Sequence, residues 1–161
     1  MRLVAVNQPL ELFVFGQVRN VMHAINIEFC YMERKLILTG DGSHSIEVPE
    51  LKATYHSIHG AIQESRHVFI DAGLKHLSIP GNELRIFEMG FGTGLNALLT
   101  FTEAESSGQK IFYETIEPYP LTPGEAQQLN YCEALNRNDL KPIFEEMHAY
   151  AWEKEIQVSS F

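Results

Sequence analysis

The fold is decided by a stretch of twelve residues, Arg85-Ile86-Phe87-Glu88-Met89-Gly90-Phe91-Gly92-Thr93-Gly94-Leu95-Asn96. Three glycines stand at alternate positions directly after a short apolar strand pattern. Glycine lets a backbone turn sharply off a strand and approach a ligand closely. The amides at a helix N-terminus point at whatever lies above them. We therefore predict a strand over 84–89, a ligand-binding loop over 90–94 and a helix over 95–104.

The glycine spacing separates this loop from two other nucleotide-binding motifs. A dinucleotide fingerprint has its third glycine, or an alanine, one residue later, where this chain has Leu95. A Walker pattern needs Gly-Lys-Ser/Thr after the loop, and none follows. Instead an acid, Glu88, stands two residues before the first glycine. Acid-x-Gly-x-Gly-x-Gly after a strand looks like motif I of class I methyltransferases, whose cofactor is S-adenosylmethionine.

A second acidic residue stands where the next strand ends. The strand pattern over 110–117 finishes in Thr115-Ile116-Glu117. An acid at the tip of the second strand is placed to accept hydrogen bonds from both ribose hydroxyls of a nucleoside. Its position about 23 residues after Gly94 suits that geometry. We predict that Glu88, Glu117 and the loop residues Gly90, Phe91, Gly92, Thr93 and Gly94 contact the cofactor.

The flanking sequence predicts further elements on both sides of this β-α-β unit. Glycines in 40–43 favour a tight turn, and Thr122, Pro123 and Glu125 form the pattern of a capped helix start. In chain order we predict a hairpin with strands at 35–39 and 45–48, a helix over 55–72 capped by Gly73, a helix from 122 to about 135, a helix over about 142–154 and a strand over 155–160.

These elements divide the chain into three segments. Residues 1–31 carry apolar clusters without clean periodicity, and Met32 opens a segment that looks like a natural start. We interpret 1–31 as an N-terminal extension, with an extra strand pair packed on the domain as the alternative. Residues 32–83 hold the hairpin and the helical segment. Residues 84–161 form the first half of a Rossmann-like α/β domain. A doubly wound sheet has roughly five to seven strands, so we expect a fragment, a truncated reading frame or a reduced domain.

Several stretches together resemble one family. They are Thr54-Tyr55-His56-Ser57, Gly60-Ala61-Ile62-Gln63-Glu64-Ser65-Arg66-His67-Val68-Phe69-Ile70, Glu88 to Asn96, and Glu117-Pro118-Tyr119-Pro120-Leu121. In order and spacing they are similar to the methyltransferase domain of the bifunctional enzyme that completes 5-methylaminomethyl-2-thiouridine at the tRNA wobble position, and to its stand-alone relatives. The resemblance covers about residues 35–161.

The resemblance implies methyl transfer from S-adenosylmethionine to an aminomethyl nitrogen of the wobble uridine. It implies a tRNA substrate, a cytoplasmic location, and an FAD-dependent oxidoreductase that is fused or acts separately in the same pathway. Tyr55 and Glu64 are expected to line the cofactor pocket. The family also has an Asp-Ala-Phe-type segment near the substrate after its fourth strand, and this chain has none. We therefore assign no catalytic residue.

Composition and charge limit the other classes of protein and site that the sequence could represent. The net charge is -9, which argues mildly against a polyanion partner because nucleic-acid binders usually present a basic face. No apolar run approaches the roughly 20 residues of a membrane span. The cysteines Cys30 and Cys132 fit buried, reduced thiols. The histidines His56, His59 and His67 lack convincing further ligands, so we expect no metal. Phe144 and Trp152 are expected in the core or on a helix face.

Three function classes stay open at this point. The first is a methyltransferase of the wobble-uridine family, or a truncated copy of it. The second is an NAD- or FAD-dependent oxidoreductase half-domain, against which Leu95 counts. The third is a non-catalytic fragment that keeps cofactor affinity, or a subunit completed by another chain. The sequence does not indicate the oligomeric state.

Overall fold

The computed structural model describes residues 1–6, 32–77, 83–149 and 155–157. The described strands are β1 (Arg2–Val6), β2 (Lys35–Leu38), β3 (His44–Val48), β4 (Ala53–Thr54), β5 (Leu84–Met89), β6 (Ile111–Ile116) and β7 (Glu155–Gln157). The described helices are α1 (Ala61–Ser65, continued by a π-helix Arg66–Leu74 and a turn Lys75–Leu77), α2 (Leu95–Ser107), α3 (Pro123–Ala126), α4 (Tyr131–Ala134) and α5 (Lys141–Ala149), with 3-10 turns at Pro49–Leu51 and Asn138–Leu140.

A four-stranded sheet carries the glycine loop. Its strand order is β5-β6-β1-β7. Strands β5, β6 and β1 run parallel, and β7 pairs antiparallel with β1. The register aligns Glu88 with Thr115 and Leu84 with Ile111. Parallel strands need a crossover connection, usually a helix, and α2 supplies it between β5 and β6. The chain is therefore α/β, as predicted, and its sheet is compatible with a Rossmann-like fold.

The two faces of this sheet differ in burial. Side chains on one face, such as Ile111 and Tyr113, are buried with the apolar face of α2. The opposite face exposes Phe87 by 62% and Met89 by 77%. Because a strand alternates its side chains between faces, the same two strands form both the core and this open apolar surface.

The predicted hairpin is present and belongs to a separate small sheet. Strands β2 and β3 are antiparallel, and β4 pairs with the other edge of β3. The turn between β2 and β3 is held by Asp41, whose carboxylate accepts hydrogen bonds from Thr39 and Ser43. Its second oxygen accepts the backbone N–H of Gln63 at 2.8 Å. The hairpin turn thereby fixes the first turn of α1, and these hydrogen bonds lower the pKa of Asp41 to about 2.

The helix predicted over 55–72 needs correction at its start and at its cap. Helix α1 begins at Ala61 rather than at residue 55, because residues 55–60 form a loop whose amides bond side chains, as Ser57 N–H does with Glu64. Gly73 does not cap the helix, since it lies inside the π-helical segment and the helix continues beyond it.

The helix predicted from Thr122 to about 135 is two short helices instead of one. Thr122 does form the predicted capping box with Glu125, but α3 ends at Ala126 and α4 begins at Tyr131. Asn130 stands at the break. Its side chain accepts from His44 N–H and donates to the Gly42 carbonyl. The interruption thus lets the segment bond the hairpin turn.

The other predictions concern residues both inside and outside the described ranges. Residues 2–6 form a strand inside the main sheet, while residues 7–31, and with them Cys30, lie outside the described residues, as does Trp152. Phe144 and Cys132 are buried, as expected. Among the described helices, none combines the length and apolar character needed to cross a membrane.

Candidate cofactor-binding site

The glycine loop leaves β5 in a conformation that glycine favours at three positions. Gly90, Gly92 and Gly94 have φ of +89°, +54° and +72°, the left-handed region that strains other residues. Gly90 N–H donates to the Ile116 carbonyl at 2.8 Å, and Gly94 N–H donates to the Phe91 carbonyl at 2.9 Å. These bonds anchor the loop to β6 and close it into the first turn of α2.

The loop glycines differ in the space around them. A Cβ on Gly92 would lie 3.0 Å from the Tyr55 ring. A Cβ on Gly94 would lie 2.8 Å from His148 Nε2 and 2.9 Å from the Phe91 ring. Nothing lies within 4 Å of a Cβ on Gly90. The backbone at Gly92 and Gly94 is therefore packed too closely for a side chain.

The carboxylate of Glu117 is held directly against the loop. It is buried, and its Oε2 accepts the Gly92 N–H at 2.8 Å. Its Oε1 accepts the Tyr119 N–H at 2.9 Å. An ionised carboxylate has about four lone-pair sites, so both oxygens retain capacity for further donors. The structure thus brings together Glu117 and the glycine loop, as the sequence predicted.

Tyr55 forms the wall of the loop on this side. It follows β4 and its ring packs on Gly92. Burial raises the pKa of its hydroxyl, and the carboxylates of Glu117 and Glu125 add to the rise, while the charge of Arg34 opposes it. Tyr55 is thus close to two acidic groups and one cation.

Glu64 occupies a different place from Tyr55. It lies on α1 with an exposed side chain, and its Oε2 accepts the Ser57 N–H at 2.7 Å. Its charge raises the pKa of His56 against the stronger lowering by burial. Glu64 therefore braces the loop over residues 55–60, and Tyr55 on that loop makes the contact with the glycines.

Glu88 lies beneath the loop, between the sheet and α2. It is buried, and its Oε1 accepts the Asn96 amide at 2.9 Å. Hydroxyls of Tyr113 and Thr115 are close enough to favour its ionised form, but burial outweighs them and raises the pKa of Glu88. This carboxyl is a buried polar group of the loop base.

Thr93 is bracketed by two histidines that sequence reasoning did not place at the loop. Its hydroxyl is 2.6 Å from His56 Nε2, and its carbonyl accepts from His148 Nε2 at 3.2 Å. Burial lowers the pKa of both rings, that of His148 to about 4. No pattern in the sequence marked His148, which lies 55 residues further along. For His56 the sequence predicts packing or hydrogen bonding, and the structure identifies the Thr93 hydroxyl as its partner.

The ring of His148 also packs on aromatic neighbours. Its centroid is 5.1 Å from that of Phe91 and 4.9 Å from that of Phe144. The Phe91 side chain is buried at 3% exposure and packs in the core, so a contact of this residue with the cofactor would come from its backbone. Within residues 1–6, 32–77, 83–149 and 155–157, no three side chains of the His, Cys, Asp or Glu type are grouped to hold a metal ion.

The arrangement defines a class of site. A parallel sheet, a glycine loop leading into a helix, and a carboxylate at the end of the neighbouring strand are the arrangement found in cofactor-binding sites of the α/β nucleotide-binding type. The close glycine backbone can admit a nucleoside cofactor, and Glu117 offers acceptors for its ribose. These groups therefore fit the ribose and backbone contacts of a nucleoside cofactor, the class to which S-adenosylmethionine belongs.

Sequence comparison finds relatives of the chain among curated proteins, although no family model matches it. The tRNA 5-methylaminomethyl-2-thiouridine biosynthesis bifunctional protein MnmC of Pseudomonas fluorescens is 35% identical over 81 residues, covering 46% of this chain and 12% of that protein. Its namesake in Idiomarina loihiensis is 36% identical over 81 residues, covering 46% and 13%. That of Cupriavidus metallidurans is 30% identical over 115 residues, covering 69% and 16%.

These matches confirm the resemblance that was stated from the sequence. The chain is related to bifunctional proteins of tRNA modification over roughly half to two thirds of its own length. It spans only 12 to 16% of the length of those relatives.

Proposed function

We propose that this chain binds S-adenosylmethionine at the loop over 90–94 and forms the cofactor-binding part of a methyltransferase. The observation that carries the proposal is the hydrogen bond between Glu117 Oε2 and Gly92 N–H. This bond holds the carboxylate that would bind the ribose against the glycine backbone that the cofactor would approach. By relation to the bifunctional proteins, the methyl acceptor is the 5-aminomethyl group of a tRNA wobble uridine.

The chemistry of methyl transfer suits this donor set. S-adenosylmethionine supplies an electrophilic methyl group on a positively charged sulfur. Methyl transfer to an amine is an in-line displacement, so the protein acts mainly by positioning the two reactants. The glycine backbone lets the cofactor come close, and Glu117 orients its ribose. Glu125 near Tyr55 is already paired with Arg34, so the carboxylate that favours a cationic ligand beside Tyr55 is that of Glu117.

The same relation suggests the partners and setting. The expected substrate is tRNA in the cytoplasm, and an FAD-dependent oxidoreductase acting on the same nucleoside is the expected pathway partner. This substrate and this partner are proposed by relation alone, because the chain spans only 12% of the length of the Pseudomonas fluorescens protein.

Calorimetric titration of the chain with S-adenosylhomocysteine tests the cofactor assignment. We expect saturable binding, and we expect Gly92→Ala to weaken it by about tenfold or more, equivalent to about 1.4 kcal/mol or more. The added Cβ meets the Tyr55 ring at 3.0 Å, so either Tyr55 or the loop must move out of the cradle.

A matched control separates this effect from backbone strain. Gly108 also has a left-handed φ, of +69°, but nothing lies within 4 Å of its Cβ. Gly108→Ala should keep full affinity. Equal losses in both variants, or binding of NAD in place of S-adenosylhomocysteine by the folded wild type, would reject the assignment.

A second candidate is a cofactor-binding chain that lacks a substrate site of its own. The exposure of Phe87 and Met89 beside the loop favours it, because a sheet face adjoining a cofactor site is ordinarily covered. Methyl transfer into undermodified tRNA distinguishes the two. Product formation by the chain alone supports the enzyme, whereas cofactor binding without product supports the second candidate.

A further inference from the structure

Arg34 precedes the hairpin, and its guanidinium contacts three groups in two segments beyond β6. Its Nη2 donates to the Tyr119 carbonyl at 2.8 Å. Its Nη1 lies 3.4 Å from the Glu125 carboxylate and 3.5 Å from the Pro120 carbonyl. Its side chain is only 15% exposed. A single guanidinium thus spans the segment that follows β6 and the start of α3.

The held segment is the one that orients Glu117. Arg34 binds the carbonyl of Tyr119, and the N–H of the same residue donates to Glu117 Oε1. Glu117 Oε2 then accepts the Gly92 N–H. A continuous series of hydrogen bonds therefore runs from Arg34 through Tyr119 and Glu117 to the glycine loop.

We propose that Arg34 is a positioning residue that holds the Glu117 carboxylate against the glycine loop and so sets the preference of the site for a ribose diol. The preference for a ribose ligand rests on the proposed function, whereas the positioning of Glu117 is a property of the free protein. Arg34 acts on Glu117 through the segment 117–120, and its guanidinium also lies within hydrogen-bonding reach of the Tyr55 hydroxyl.

The planar fork of arginine is what this role requires. A guanidinium has five N–H donors in fixed directions, whereas the lysine ammonium is a compact point charge on a flexible stem. Only the fork can engage the Tyr119 carbonyl and the Glu125 carboxylate together. Arg34→Lys should therefore keep the charge but lose most of the positioning.

Hydrogen exchange of the cofactor-free protein tests the positioning directly. We expect Arg34→Met, and to a lesser degree Arg34→Lys, to speed exchange of peptides that contain the Gly92 and Tyr119 amides by about tenfold. Arg137→Met is the matched control, since Arg137 binds Glu105 and Asp139 on the surface.

The hydrogen-exchange experiment uses the protein without cofactor, so its result does not depend on the proposed function. Faster exchange confined to the two peptides, with the far-ultraviolet spectrum and the other peptides unchanged, supports the role of Arg34. Unchanged exchange at both amides overturns it. If Arg34→Met unfolds the chain, Arg34→Lys decides between the same two results.

Ligand discrimination tests the second half of the proposal. Wild type should bind S-adenosylhomocysteine more tightly than its 2′-deoxyribose analogue, and Arg34→Met should reduce that ratio by about tenfold while Arg137→Met preserves it. A general loss of stability would weaken both ligands alike and leave the ratio unchanged, which would reject the specificity role. If wild type binds neither ligand, the proposed function fails, and the exchange result still decides whether Arg34 positions Glu117.

Discussion

The glycine loop has an outer side and an inner side that are built differently. On the outer side, Gly92 meets the Tyr55 ring and the Glu117 carboxylate. On the inner side, Gly94 meets the Phe91 and His148 rings. Both sides exclude a side chain from the glycine. The outer neighbours are a charged group with spare acceptors and a polar aromatic ring, whereas the inner neighbours are packed, buried rings.

This difference separates two reasons for having glycine in the same motif. Glycine on the outer side leaves room for a ligand, so a change there should first affect cofactor affinity. Glycine on the inner side lets the loop pack on α5, so a change there should first affect the free energy of unfolding. The glycines of one sequence motif therefore have two different functions in the structure, ligand access at Gly92 and packing at Gly94.

The largest effect on stability is expected from Gly94→Ala. The left-handed φ of +72° costs about 1 kcal/mol for a residue with a Cβ. The Cβ would also press on His148 Nε2 and the Phe91 ring, and overpacking of this kind costs about 1–3 kcal/mol. We expect a loss of about 2–4 kcal/mol in urea denaturation.

Gly108→Ala is the control for this loss. It shares the left-handed φ without the close neighbours, so it should cost about 1 kcal/mol. If both variants lose the same free energy, the inner packing has no part in the need for glycine, and the two sides of the loop are alike.

Acid provides the next largest effect, through His148. Its pKa is about 4 in the folded chain and 6.5 without the fold. The unfolded chain therefore binds more protons between these values, and the stability that His148 contributes is lost as the pH falls from about 6.5 to 4. The loss amounts to about 3 kcal/mol.

His148→Gln isolates this contribution, because glutamine does not titrate and its amide can still donate to the Thr93 carbonyl. We would measure the free energy of unfolding of both proteins from pH 7.5 to 4. The wild type should lose stability more steeply than the variant over that range. Parallel curves would mean that protonation of His148 is not opposed by the fold.

The outer side was predictable from the sequence, and the inner side was not. Gly90, Gly92 and Gly94 with Glu117 lie close along a strand-loop-helix-strand unit, whose geometry follows from local pattern and the parallel pairing of two strands. His148 and Arg34 reach the site from elements 55 residues or more away. Contacts of this kind depend on how whole elements pack, and a single sequence contains no local signal for them.

The helix boundaries show the same limit on a smaller scale. The capping box at Thr122 was predictable because all its atoms lie within four residues. The break at Asn130 was not, because it follows from hydrogen bonds to His44 and Gly42 in the hairpin. Tertiary hydrogen bonds end a helix where its own sequence would allow it to continue.

The smallest effects should come from the two carboxyl groups, and they should differ in sign. Burial raises the pKa of Glu88, so any stability it contributes is present at low pH and is lost as the pH rises through the folded pKa. Glu88→Gln keeps an uncharged group at this buried position at every pH and keeps an oxygen for Asn96. It should be neutral or stabilising by less than about 1 kcal/mol, and any gain should shrink as the pH falls and the wild-type carboxyl becomes protonated.

Glu117→Gln should instead destabilise the chain. Glu117 accepts one N–H on each oxygen, and glutamine has only one oxygen to offer. One of the two amides, Gly92 or Tyr119, must then face an NH₂ group, at a cost of about 1–2 kcal/mol. Urea denaturation of both variants at pH 7 and pH 4 measures the two signs. Equal losses for Glu88→Gln and Glu117→Gln at pH 7 would show that the carboxyl of Glu88 is as well satisfied by hydrogen bonds as that of Glu117.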